Sequence, residues 1–243
     1  MTIPLKDKIV LLTGAGGGIG CAIAEKLSQD GMKLILFGGH NLEKLEETRK
    51  IVEKHSQCLV IPGDLTSTAF LSEGIQKVID AFGGLDILIN NAGVATSTPF
   101  EEITEEMLDN IMAINFRAPF FLTQKALPHL KRSQTASIIN ICSVVGHAGY
   151  PLQSPYVASK HALLGWTKSL ARETYKENIR VHAISPGGVF TDMIRISRPD
   201  LTSDGMILPE EIAEIVYFLL ANRGNAVIDE ILVHRATKEP FLV

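Results

Sequence analysis

Cysteine is scarce in this sequence: 243 residues hold only Cys21, Cys58 and Cys142. Three thiols so widely spaced form neither a disulfide framework nor a zinc ligand set, so reduced, mostly buried cysteines are expected and no metal site is. Strong charge of either sign is missing too. The net charge is -4, and no dense run of lysine and arginine offers a surface to nucleic acid or to an anionic membrane. No stretch reaches the ~20 apolar residues of a membrane span. The segment Met1-Thr2-Ile3-Pro4-Leu5-Lys6 lacks the basic-then-apolar pattern of a secretory signal. Internal repeats and low-complexity tracts are absent. These absences leave a cytoplasmic globular protein as the expectation.

Hydrophobic residues at 46% supply a sizeable core, and charged residues at 21% a solvated surface. Short apolar runs alternate with longer amphipathic segments. Strands are expected at Lys8–Thr13, Lys33–Gly38, Cys58–Pro62, Asp86–Asn90, Ala136–Cys142, Ile179–Ile184 and Val227–Val233. Helices are expected at Gly18–Asp30, Asn41–His55, Thr68–Phe82, Glu105–Leu130, Ser154–Lys176 and Pro209–Ala221, with Gly83-Gly84 closing the third. Continuously apolar strands suit a sheet buried on both faces, and strict strand–helix alternation implies right-handed crossovers and a parallel sheet. The rhythm runs through residues 1–243 without a linker, so one domain is expected. It breaks only at Phe190–Leu208, a Ser-, Asp- and Pro-containing stretch read as a loop or short lid.

The first strand runs into Thr13-Gly14-Ala15-Gly16-Gly17-Gly18-Ile19-Gly20 and then a helix. Glycines there let the backbone approach a pyrophosphate, and the helix end presents free N–H groups to it. The α/β class is therefore expected to be a Rossmann-type, doubly wound parallel sheet of about seven strands with helices on both faces. Further on, Tyr156 and Lys160 stand four residues apart, which puts both on one helix face. A phenol titrating near ~10 is a weak acid–base catalyst at neutral pH, and an adjacent ammonium favours its ionised form. That spacing alone also occurs on any amphipathic helix. Ser143 adds weight, because it ends the fifth strand at the carboxyl edge of the sheet, where ligands bind in open α/β folds.

On these residues the chain resembles the short-chain dehydrogenase/reductase family, over essentially its full length. Its T-G-x-x-x-G-x-G turn, Asp64 in Gly63-Asp64-Leu65, Asn90-Asn91-Ala92-Gly93, Pro186-Gly187 and Thr191 match the family's motifs in order. The resemblance implies Ser143, Tyr156 and Lys160 as catalytic residues, with Ser143 placed 13 residues before the tyrosine. Asn115, 22 residues after Gly93, is implied as the fourth, fixing a water that relays protons to the lysine. It implies a coenzyme held by Thr13, Gly14, Gly16, Gly17, Gly18, Ile19, Gly20, Gly39, His40, Asp64, Leu65, Asn91, Ala92, Gly93, Tyr156, Lys160, Pro186, Gly187, Val189 and Thr191.

The implied activity is hydride transfer between NAD(P) and a small carbonyl or secondary alcohol, with Tyr156 as general acid or base. NADP is favoured over NAD. Relatives using NAD often carry Asp where this chain has Gly39, though the basic residues of NADP users are also missing at His40 and Gly17. Two alternatives stay open: a 3-oxoacyl-thioester reductase, and a cofactor-binding sensor without turnover. The ending Ile228-Asp229-Glu230-Ile231 leans away from the former, which commonly ends V-D-G-G. The substrate loop, about residues 188–208, offers Met193, Ile194, Ile196, Met206, Ile207, Arg195 and Arg198. Cys142 is expected to pack rather than react. The family commonly forms homodimers or homotetramers through the helices that correspond to Ser154–Lys176 and Pro209–Ala221.

Overall fold

A computed structural model describes residues 2–197 and 202–239, apart from the side chains of Met193, Ile196 and Ser197. Arg198 therefore lies outside the described residues, as do the side chains of Met193 and Ile196. Seven strands form one sheet: β1 Ile9–Thr13, β2 Lys33–Phe37, β3 Cys58–Ile61, β4 Ile87–Asn90, β5 Ser137–Ile141, β6 Arg180–Pro186 and β7 Glu230–Val233. Their order is β3-β2-β1-β4-β5-β6-β7, and every pairing is parallel. The helices are α1 Gly18–Gln29, α2 Leu42–Val52, α3 Thr68–Phe82, α4 Glu105–Met112, α5 Ala118–Leu130, α6 Ser154–Thr174, α7 Asp192–Ser197 and α8 Pro209–Ala221.

The uninterrupted apolar strands are explained by burial on both sides. On one face Val10, Leu12, Leu34 and Leu36 pack against Ile23 and Leu27 of α1 and Ile212 and Val216 of α8. On the other, Leu11, Ile35 and Leu88 meet Leu71 and Ile75 of α3 and Leu122 and Ala126 of α5. Alternate residues of one strand serve opposite layers, so each strand residue must be apolar. Helix starts follow local chemistry: Asn41, Ser67 and Thr104 each accept a backbone N–H at the head of α2, α3 and α4. Gly83 ends α3 at φ 78°, a left-handed cap that glycine takes without a Cβ clash.

Three expectations need adjustment. The single long helix Glu105–Leu130 is two helices joined by one wide π turn, Ala113–Arg117. The stretch Phe190–Leu208 carries the short helix α7, and a bridge between Val189 and Ile207 ties its two ends together. The last strand starts at Glu230, and Val227 and Ile228 form an exposed lead-in. Among the described residues, no helix is long and apolar enough to cross a membrane, and no cluster of His, Cys, Asp and Glu suits a metal.

Candidate active site

The strand order reverses between β1 and β4, and a crevice opens at the carboxyl ends of the strands beside that point. It is a cavity of about 440 Å³. One wall is the turn after β1. Gly14 and Gly18 have φ of 68° and 51°, in the left-handed region. A Cβ on Gly14 would sit 2.8 Å from Cα of Ala92, and one on Gly18 would sit 2.9 Å from Cγ2 of Thr191. Both glycines thus serve conformation and close approach. Gly17 precedes α1 without any side-chain cap, and the first turn of α1 carries no acid. The positive end of α1 thus has no acidic side chain of its own helix beside it.

Not every residue of the turn faces the crevice. Thr13 is buried, and its Oγ1 accepts N–H bonds from Asn91 and Ala92, both at 3.0 Å. Asn91 returns two bonds, from Nδ2 to the carbonyls of Thr13 (3.0 Å) and Gly14 (3.1 Å). These four bonds lock the turn to the segment after β4. Gly16 lines a second, smaller cavity behind the turn, and Gly20 packs the first turn of α1 onto Gly14. Gly14, Gly17, Gly18, Ile19, Asn91, Ala92 and Gly93 line the crevice itself.

The far end of the crevice lies beyond β2. Gly39 lines it with φ 90° and pairs with Gly63 in a two-residue bridge. No carboxylate stands at the tip of β2; His40 does, exposed. Asp64 and Leu65 line the same end. Thr66 donates its backbone N–H and its hydroxyl to Asp64, each at 2.8 Å, and the backbone bond is the chief reason this carboxyl is held below the usual range. Lys44 also lines this end, although the sequence reading passed over it. Its signal is positional: it sits in the first turn of a helix capped by Asn41, where side chains lean back toward the helix start. Its Nζ lies 2.6 Å from Asp192 Oδ2 at the start of α7.

Ser143, Tyr156 and Lys160 line the other end, together with Pro186, Gly187, Val189 and Thr191. Lys160 is 4% exposed, and its Nζ donates to the Ile141 carbonyl at 2.8 Å and lies 5.7 Å from the Tyr156 ring centre. Ser143 follows β5 by two residues and makes only long contacts, 3.4 Å from its Oγ to the Pro186 carbonyl and to the Val145 N–H. Asn115 sits in the π turn at 1% exposure, behind the crevice. Its Oδ1 accepts the Val94 N–H and its Nδ2 donates to the Val94 carbonyl, both at 2.8 Å. The same Nδ2 donates to Ser159 Oγ at 3.0 Å, and Ser159 donates to the Tyr156 carbonyl at 2.7 Å. Asn115 Oδ1 and Lys160 Nζ lie 3.3 and 3.7 Å from the point where Gly93 would carry a Cβ. The wide turn thus aims an amide at both the Gly93-Val94 corner and the tyrosine helix.

Beneath the site, buried side chains cross-link its supports. Asn90 and Asn140 are register partners on β4 and β5, and Asn90 Nδ2 donates to Asn140 Oδ1 at 2.8 Å and to Thr123 of α5 at 3.2 Å. Asn140 passes the chain to Thr167 of α6 at 2.8 Å. Cys142 packs against Leu163, Leu164 and Ala183, and burial pushes its thiol up to about 11, which suits a packing residue.

The short chain dehydrogenase family model matches residues 8–202 of this sequence. The chain belongs to that family. It is 32% identical over 245 residues to 3-oxoacyl-(acyl-carrier-protein) reductase FabG of Thermotoga maritima, covering 94% of this chain and 96% of that one. It is 34% identical over 207 residues to D-beta-hydroxybutyrate dehydrogenase of Rhizobium meliloti, covering 84% and 80%. A metagenomic short-chain oxidoreductase solved in complex with NADP superposes with a TM-score of 0.84 at 29% identity, covering 97% of this chain and all of that one. As a short-chain dehydrogenase the protein is an NAD(P)-dependent oxidoreductase acting on CH–OH and C=O groups. The residues present fit a dinucleotide: an uncapped helix end, two left-handed glycines and a crevice joining β2 to the tyrosine–lysine helix.

Proposed function

We propose that this short-chain dehydrogenase prefers NADP(H) and interconverts a small ketone and a secondary alcohol, with Ser143, Tyr156 and Lys160 as its catalytic residues. The carrying observation is that these three side chains and the glycine turn line one crevice. When bound, the nicotinamide supplies or accepts hydride. Tyr156 gives its phenolic proton to the carbonyl oxygen in reduction and takes it back in oxidation. Ser143 holds that oxygen by its hydroxyl. Lys160 holds its buried ammonium beside the Tyr156 ring, on the same helix face. Asn115 fixes the Gly93-Val94 corner and the start of the tyrosine helix, and by resemblance helps hold a water that relays protons to Lys160.

Support for the coenzyme preference comes from the tip of β2. A carboxylate there would bind the 2′-hydroxyl of NAD and repel the 2′-phosphate of NADP. Gly39 offers none, and its φ of 90° would strain an aspartate in that place. A second reading, reduction of a 3-oxoacyl thioester, is favoured by the end-to-end match to the Thermotoga reductase. Initial rates of NADPH and NADH oxidation against ketones, 3-oxo acids and 3-oxoacyl pantetheine thioesters separate these readings. Faster turnover with NADPH on unconjugated ketones is expected. Faster turnover with NADH overturns the coenzyme preference, and activity confined to thioesters selects the second reading.

We further propose a homodimer or homotetramer joined through α6 and α8, as the resemblance implies, with the exposed apolar residues beside α8 adding to the second of these faces. Leu163, Leu164, Leu170, Val216 and Leu219 serve the core, whereas Phe218, Val227, Ile228 and Leu232 are exposed. The cysteines are free, in keeping with a reducing cytoplasm.

A further inference from the structure

We propose that Lys44 is the residue that discriminates the 2′-phosphate of the coenzyme, and that Asp192 is a competing counter-ion through which coenzyme choice is coupled to the substrate segment. This inference rests on the crevice binding a dinucleotide as described above, and it extends the preference for NADP(H).

Four observations meet at this one spot. A side chain on Gly17 would approach Lys44 to 4.0 Å at both Cδ and Nζ, so the ammonium stands over the glycine turn although α2 supplies it. Lys44 lines the crevice together with Gly39 and His40, at the tip of β2 where the adenosine ribose is read in this fold. Its Nζ is 2.6 Å from Asp192 Oδ2. Asp192 directly follows Thr191, whose methyl group rests against Gly18, and it opens α7 in the loop that the sequence marks as the substrate segment.

Lys44, Asp192, Gly17, Gly18 and Thr191 border both the crevice and a second cavity of about 360 Å³ behind the turn. The ion pair therefore forms part of the partition between the two spaces. Its members are about half exposed, at 44% and 56% of their side chains, so the pair itself contributes little to stability. A phosphate monoester carries about 1.5 to 2 negative charges and three strong acceptor oxygens. It is a better partner for an ammonium than one carboxylate. A 2′-phosphate drawing Lys44 toward the ribose loosens Asp192 and with it the start of α7. NADH has no such group and leaves the pair closed. Arg195, 3.7 Å from Asp192 and stacked over Phe190, is positioned to take over the carboxylate.

The test measures dissociation constants for NADPH and NADH on three proteins, with hydrogen exchange of the peptide covering residues 192–197 as a second readout. Lys44→Met is expected to reduce the NADPH-over-NADH affinity ratio about tenfold. Asp192→Asn frees the lysine and removes a repelling charge, so the ratio rises about threefold. Opposite movements of the two variants cannot both come from damage to the fold. In the wild type, NADPH is expected to speed exchange in 192–197 relative to NADH, and in Lys44→Met the two coenzymes act alike. A ratio left within about twofold by both substitutions overturns the assignment, whichever coenzyme the wild type prefers. A wild type that binds NADH more tightly, yet whose ratio still moves in opposite directions in the two variants, overturns the NADP preference and keeps the assignment.

Discussion

Replacing Tyr156 by Phe is expected to lower kcat/KM for carbonyl reduction by about 10²- to 10⁴-fold, the usual worth of a positioned acid–base group. The ring packing is kept and only the phenolic oxygen is lost, so the dissociation constant for NADPH is expected to stay within about threefold. Stopped-flow turnover and coenzyme fluorescence titration on one preparation read the two quantities separately. The split between them matters. Lys160 is held by the Ile141 carbonyl and Asn115 by Val94 and Ser159, none of which depends on the phenol. A variant that keeps wild-type turnover would remove Tyr156 from the chemistry.

The second large effect is expected at Gly20. In an ordinary helix interior, Gly→Ala is stabilising by about 0.5–1 kcal/mol, because alanine is the better helix former. Here a Cβ would press into the Gly14 carbonyl and lie 2.7 Å from Asn91 Nδ2, both fixed groups of the locked turn. Overpacking of that kind costs about 1–3 kcal/mol, which exceeds the propensity gain and reverses its sign. Gly20→Ala should therefore lower the denaturation midpoint. It should also weaken both coenzymes together, since α1 must move away from the turn that cradles them. Gly165 is the matched control within α6, because a Cβ there meets nothing within 4 Å. An equal response from the two glycines would show that helix propensity alone is at work.

Much of this architecture was legible because short-range chemistry and the global fold agree. The seven apolar runs became the seven strands, since a residue buried on either face of a sheet must be apolar. Helical spacing puts Tyr156 and Lys160 on one face, and the resemblance to the family, rather than any periodicity, joins Ser143 to them; all three line one crevice. Asn115 was legible only as a position. Its reach to Val94 and Ser159 depends on a π turn, and a five-residue hydrogen-bond register leaves no periodic mark in a sequence. Thr13 and Gly20 read as coenzyme contacts because the motif is contiguous, yet they face inward and hold the turn together. Lys44 went unseen for the opposite reason. It lies outside the motif, and only the packing of α2 beside the glycine turn and α7 gives it a role.

A single crevice that both holds the coenzyme and performs the transfer must pass hydride directly from coenzyme to substrate. The most direct measurement uses NADPH deuterated at both C4 positions, with a turned-over ketone, in ordinary water. Mass spectrometry of the alcohol is expected to show one deuterium at the carbinol carbon and none at the hydroxyl, whose proton comes from Tyr156 and then from solvent. An alcohol without deuterium, or deuterium appearing in the solvent, would contradict direct transfer within this site.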